Sequence, residues 1–123
     1  AFQLADDVID LTSDGAVTGK TPGTDLRERV PTMPALLLRR RVAAGEGTAA
    51  DADLVALLDS DLSLDEPLAR AVAALRSHDV VAATRAEAQA WGRRAVAALA
   101  PLPAGPVRSA LEDFTTALVD RRA

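Results

Sequence analysis

The 123-residue chain contains no cysteine and no tyrosine, a single tryptophan, Trp91, and a single histidine, His78. Without cysteine there is neither a disulfide framework nor a thiolate metal site. One histidine excludes a multi-histidine metal centre within the chain. Aromatic residues make up only 2% of the total, whereas hydrophobic residues reach 49%, much of it alanine, a composition that suits closely packed helices. No stretch supplies the roughly 18 uninterrupted apolar residues of a membrane span. No signal-peptide pattern occurs either, and the expected location is cytoplasmic. An excess of positive charge is lacking too: the net charge of −4 argues against a nucleic-acid partner.

What the chain does have is acid in an unusual place. It opens with Phe2-Gln3-Leu4-Ala5-Asp6-Asp7-Val8-Ile9-Asp10, a DDxxD pattern inside an apolar helical run. On a helix, residues three and four apart are neighbours, so Asp10 lies one turn from both Asp6 and Asp7, and Gln3 one turn before them. Aspartate is a poor helix-interior residue, and clustered carboxylates repel one another. A solvated acidic face is the plain alternative, but a local violation of this kind tends to mark function. The cation that fits is Mg²⁺, a hard ion held by one or two carboxylates together with substrate phosphates.

The pattern along the chain predicts helices only. The first spans about Ala1 to Leu11 and ends at Thr12-Ser13-Asp14-Gly15, a cluster of turn formers. A polar loop, Gly15 to Glu28, follows; long loops within domains are often functional. Thr32 is the expected N-cap of a second helix, with Pro34 in its first turn and Arg39-Arg40-Arg41 near its end, where cations suit the dipole. Further helices are expected over about 50–59, 65–78 and 79–100. The prolines of 101–106 break the chain before a last helix over about 107–121. In that helix Val107, Leu111, Phe114 and Leu118 recur every three to four residues. No period-two segment predicts a strand. Because the chain begins at Ala1 directly in an important helix, it is expected to be a C-terminal piece of a larger domain.

The loop carries a second motif, Gly19-Lys20-Thr21-Pro22-Gly23-Thr24-Asp25-Leu26-Arg27-Glu28. It is not a P-loop, because the glycine spacing and the Ser/Thr frame after lysine are wrong. Its glycines let the backbone turn, and Lys20, the only lysine in the chain, can reach an anionic ligand. FQLADDVIDL followed at this separation by GKTPGTDLRERVPTMP resembles the C-terminal half of the trans-isoprenyl diphosphate synthases, the polyprenyl synthetase family. The likeness is to that family's second aspartate-rich motif and the loop after it, and it is close over about the first 35 residues. The rest agrees in helical character and in a terminal helix that ends in arginine.

The resemblance implies an all-α fold, with antiparallel helices around a central substrate cavity, of which residues 1–123 would be the C-terminal portion of one polyprenyl synthetase domain. It implies a Mg²⁺-dependent prenyltransferase that condenses isopentenyl diphosphate with an allylic diphosphate, and a homodimer. Asp6, Asp7 and Asp10 would hold Mg²⁺, Asp6 directly and the other two partly through water. Asp6, Asp7 and Lys20 would be the catalytic group, Lys20 contacting the allylic diphosphate. Gln3 would orient substrate or a metal ligand, and Asp25 would hold Lys20 or a nearby water. The family usually shows Gly then Lys where this chain has Arg29 and Val30. Arg27 or Arg29 would have to compensate, and guanidinium and ammonium are not interchangeable. The family's first aspartate-rich motif and its isopentenyl-diphosphate-binding residues are not among these residues. The chain by itself is therefore expected to be inactive and to pack on the missing N-terminal half. Two other readings stay open: a non-catalytic helical partner of a prenyl synthase, and a relative of the terpene cyclases.

Other polar residues are expected to be structural. Arg39-Arg40-Arg41 reads as a solvated helix end, His78 as a surface residue, and Trp91 as core or interface packing. Asp59, Asp61, Asp65 and Glu66 read as a turn and a helix start.

Overall fold

The helical periodicity resolves into seven helices, with no strand among the described residues, in a computed structural model that describes residues 1–13 and 22–121. They are α1 (Phe2–Thr12), α2 (Thr24–Arg27), α3 (Met33–Ala43), α4 (Ala49–Leu58), α5 (Asp65–Ser77), α6 (Asp79–Ala98) and α7 (Pro106–Val119). Only α2, a single turn inside the expected loop, has no counterpart in the sequence pattern.

The aspartate-bearing helix is central. Its buried residues Leu4, Val8 and Leu11 fall three to four apart. Around them α1 packs on α2, α3, α5, α6 and α7. Val8 and Leu11 join Leu26, Leu38, Leu54, Leu58, Leu68, Leu75 and Val80 in one apolar core that draws on six helices. This arrangement fixes the azimuth of α1: once the leucines face inward, the remaining positions are assigned to the borders or to solvent.

Polar contacts set the helix ends. At the start of α4, Thr48 Oγ1 accepts from the Asp51 amide at 3.1 Å, and Asp51 Oδ2 accepts from the Thr48 amide at 2.7 Å. This is a capping box in which aspartate takes the place of the usual glutamate. Asp51 Oδ1 lies 2.8 Å from His78 Nε2, and His78 Nδ1 accepts from the Val80 amide at the start of α6. The Thr48 amide, then His78, holds the Asp51 carboxyl below its usual range. His78 is thus a half-buried joint between α4 and the α5–α6 corner rather than a surface residue. The arginine run is likewise structural. Arg39 pairs with Asp59 at 2.7 Å, and Arg41 pairs bidentately with Asp79 at 2.9 and 3.1 Å.

The last helix departs from its pattern. Val107 and Phe114 are 74% and 61% exposed, so the stripe that reads as a core face is open. The face of α7 that packs is centred on Val119, which meets α6 at Gly92: a Cβ on that glycine would stand 3.1 Å from Val119 Cγ1. Trp91 is half exposed, with the Arg94 guanidinium 4.7 Å from its ring centre. Among the described residues no helix is long and apolar enough to cross a membrane.

Candidate functional site

Each step along a helix turns the side chain by about 100°, so adjacent aspartates in DDxxD cannot share an environment. Asp7 turns toward the protein and is only 4% exposed. Its Oδ1 accepts from Gln3 Nε2 at 2.9 Å, and its Oδ2 accepts from the Met33 amide at 2.8 Å. Met33 opens α3, so Asp7 supplies the anion that the N-terminus of that helix favours. Thr32 occupies the N-cap position, but its side chain makes no cap bond, contrary to the sequence pattern. A capping hydroxyl bonds the second or third helical amide, and here the second residue is Pro34, which has no N–H. The buried Thr32 Oγ1 has no hydrogen-bond partner among the described residues.

Asp6 and Asp10 lie further round α1 from Asp7, Asp6 exposed and Asp10 half-buried. The returning chain is held against Asp10 twice. Its carbonyl accepts from the Gly23 amide at 3.0 Å, and its Oδ2 accepts a long bond from the Asp25 amide at 3.4 Å. Burial pushes the Asp10 carboxyl above its usual range, and the negative charges of Asp25 and Asp6 push it further, while the Asp25 and Thr24 amides pull it back. The charges of Asp25 and Asp6 therefore both bear on Asp10. A cation placed there would relieve this repulsion.

Two backbone positions shape the return. Gly23 has φ 81°, and a Cβ there would stand 2.3 Å from Val72 Cγ2. Only glycine fits both the conformation and the space. Arg29 has φ 58°, the one described non-glycine residue with positive φ. The Arg29 amide donates to Leu26 O at 3.2 Å and the Val30 amide to Asp25 O at 2.8 Å. These two bonds make a Schellman motif that closes α2, with Arg29 at the position that normally takes glycine. The glycine that the family usually shows there thus has a backbone reason.

The predicted residues divide accordingly. The charges of Asp6 and Asp25 both bear on Asp10, whereas Asp7 and Gln3 pair with each other. Lys20 lies outside the described residues. Neither arginine proposed to compensate for the replaced lysine is directed at the acidic group. Arg27 bonds Asp65 at 2.6 Å and Ser63 O at 3.1 Å, and Arg29 acts on Asp59 and Asp61. The sequence reading did not single out Arg76, which bonds the C-terminal end of α1; a basic residue in a last helical turn is too common to be noticed there.

All available donors at this face are oxygens, the set that suits Mg²⁺. Yet no group of three or more histidine, aspartate or glutamate side chains that could hold a metal occurs among the described residues. Any Mg²⁺ held here would need phosphate oxygens and water to complete its shell.

The fold and site thus define an all-helical protein whose central helix presents an oxygen-donor face. The family model described as Polyprenyl synthetase matches residues 1–61, and the chain belongs to that family. It is 36% identical to the nonaprenyl diphosphate synthase of Mycobacterium tuberculosis over 94% of this chain and 34% of that protein. It is also 36% identical to the octaprenyl diphosphate synthase of Escherichia coli, over 98% of this chain and 36% of that protein. The mitochondrial hexaprenyl pyrophosphate synthase of Saccharomyces cerevisiae is 30% identical over 98% of this chain and 24% of its own length. The chain spans about a third of the length of the first two of these relatives. No solved structure matches it.

Proposed function

We propose that the chain forms part of the diphosphate-binding site of a trans-polyprenyl diphosphate synthase, which condenses isopentenyl diphosphate with an allylic diphosphate. The observation that carries this reading is the Asp6–Asp10–Asp25 face, in which burial and two neighbouring negative charges press on Asp10. The names of the relatives supply the substrate class.

Mg²⁺, when bound, would neutralise the charge that develops on the departing diphosphate. Asp6, the exposed carboxylate, is the direct ligand. Asp10 adds charge from one turn away and fastens the Gly23–Asp25 segment. Asp7 contributes its charge and any water-mediated contact while it caps α3. Gln3 holds Asp7 from the same helix. Lys20 contacts the allylic diphosphate, and Asp25 orients Lys20 or a water beside it. Because no three-acid group that could hold a metal occurs among the described residues, turnover needs a complementary set of ligands, assigned here to the N-terminal portion of the same domain. The 123-residue chain alone is then inactive. A cytoplasmic homodimer accords with this reading.

The test is Asp6→Ala in the full-length protein. Asp6 is exposed and takes no part in the core, so the melting temperature should stay within a degree or two, a surface-substitution effect of roughly 0.5 kcal/mol or less. Turnover should fall by about a hundredfold or more, as expected for loss of a group that serves the developing charge. Unchanged turnover would remove Asp6 from the site.

A further inference from the structure

We propose that Arg76 is a positioning residue for the acidic face, acting from α5 through the C-terminal end of α1. The proposal rests on the prenyl synthase reading for its functional consequence and on geometry alone for its structural part. The last four carbonyls of a helix have no partners within it, and a cation is favoured at that end. No basic residue lies in the last turn of α1. Its carbonyls are met from outside instead. Ile9 O accepts from the Ser13 amide at 2.8 Å and Asp10 O from the Gly23 amide at 3.0 Å. Leu11 O accepts from Arg76 Nε at 2.8 Å, and just beyond the helix Ser13 O accepts from Arg76 Nη2 at 3.1 Å.

One helix governs both sides of this junction. Val72, one turn before Arg76 on α5, is the side chain against which Gly23 sits. Arg76 therefore fixes where the chain leaves α1, and Val72 fixes where it returns. Asp10 stands between them, with its carbonyl bound to Gly23 and its carboxylate to Asp25. A shift of the end of α1 would move Asp10 relative to Asp25 and Asp6. The planar fork of arginine suits two neighbouring carbonyls, whereas the single ammonium of lysine holds them less well. The plain alternative is that Arg76 merely complements the C-terminus of its own helix, α5. Its loss would then lower stability without singling out α1.

The experiment compares Arg76→Gln and Arg76→Lys with the parent in the full-length protein. Amide hydrogen exchange is read at Leu11–Ser13 and Gly23–Asp25 and, as reference, in α3 and α4. Arg76→Gln should speed exchange at the first two segments by about tenfold or more and leave the reference amides unchanged, a local opening rather than a global one. Arg76→Lys should recover part of the protection. In steady-state kinetics the KM for the allylic diphosphate should rise about five- to twentyfold while that for isopentenyl diphosphate holds, a split that a general loss of stability does not produce. Unchanged exchange at α1, or a uniform rise across all helices, would overturn the proposal, as would equal changes in both KM values. If the parent consumes neither diphosphate, the prenyl synthase reading fails. The exchange data would still decide whether Arg76 holds α1.

Discussion

Replacing Arg29 with glycine should stabilise the protein. At φ 58° the Arg29 Cβ crowds its own backbone, a penalty of about 1–2 kcal/mol for a residue other than glycine. Glycine removes that penalty but makes the unfolded chain more flexible, which takes back about 0.5–1 kcal/mol. The guanidinium that is lost is exposed and makes only solvent-screened attractions to Asp59 and Asp61. The two Schellman bonds, from the Arg29 and Val30 amides, are backbone bonds and survive the change. The net gain is about 0.5–1 kcal/mol, or a rise of roughly 2–5 °C in melting temperature for a chain of this size. Urea unfolding should show a higher midpoint at an unchanged slope, the signature of stability rather than altered compactness. Arg29→Ala is the control. It removes the same charge but keeps a Cβ at positive φ, so it should gain nothing. A glycine variant no more stable than the parent would refute the strain argument. So would an alanine variant stabilised equally, because the effect would then come from the side chain.

Two further substitutions probe the return segment and the cap. Gly23→Ala should destabilise by about 2 kcal/mol or more, combining the αL penalty with a contact on Val72. Adding Val72→Ala should recover the packing part only, so full additivity in a double-mutant cycle would show that the two residues do not meet. Asp7→Ala should cost about 1–2 kcal/mol through loss of the α3 cap, whereas Asp7→Asn, which can still accept from Met33, should cost less in thermal unfolding. Equal losses would assign the effect to charge instead of capping.

The helices were legible because their signals are local. An apolar helical run marks α1, and the prolines of 101–106 mark the break before α7. Where a second element intervenes, the sequence misleads. Thr32 reads as a cap, yet Asp7, 26 residues away, makes the bond to Met33. His78 reads as a surface residue because nothing near it in sequence announces Asp51, 27 residues earlier. The stripe on α7 has a helical period, but a period reports amphipathicity and not which surface covers it. α2 was missed because one turn is too short to show a period, and Gly23 reads as loop chemistry rather than as a helix start.

The site divides along the same line. A motif such as DDxxD states that acids recur at one-turn spacing; it does not say which of them the core will claim. That is decided by azimuth. With Leu4, Val8 and Leu11 inward, Asp7 falls on the border facing α3 while Asp6 and Asp10 fall toward the Gly23–Asp25 return. One aspartate is then used to build the wall, and on Asp10 burial makes charge costly. The same logic explains why the backbone cost of Arg29 in a glycine position is not legible in the sequence. Arg29 keeps the Schellman hydrogen bonds that close α2 and carries its strain in a single φ, which no sequence pattern records. The acidic face is therefore shaped by partners remote in sequence. Met33 claims Asp7, and Arg76, 65 residues from Leu11, holds the end of the helix on which the aspartates stand.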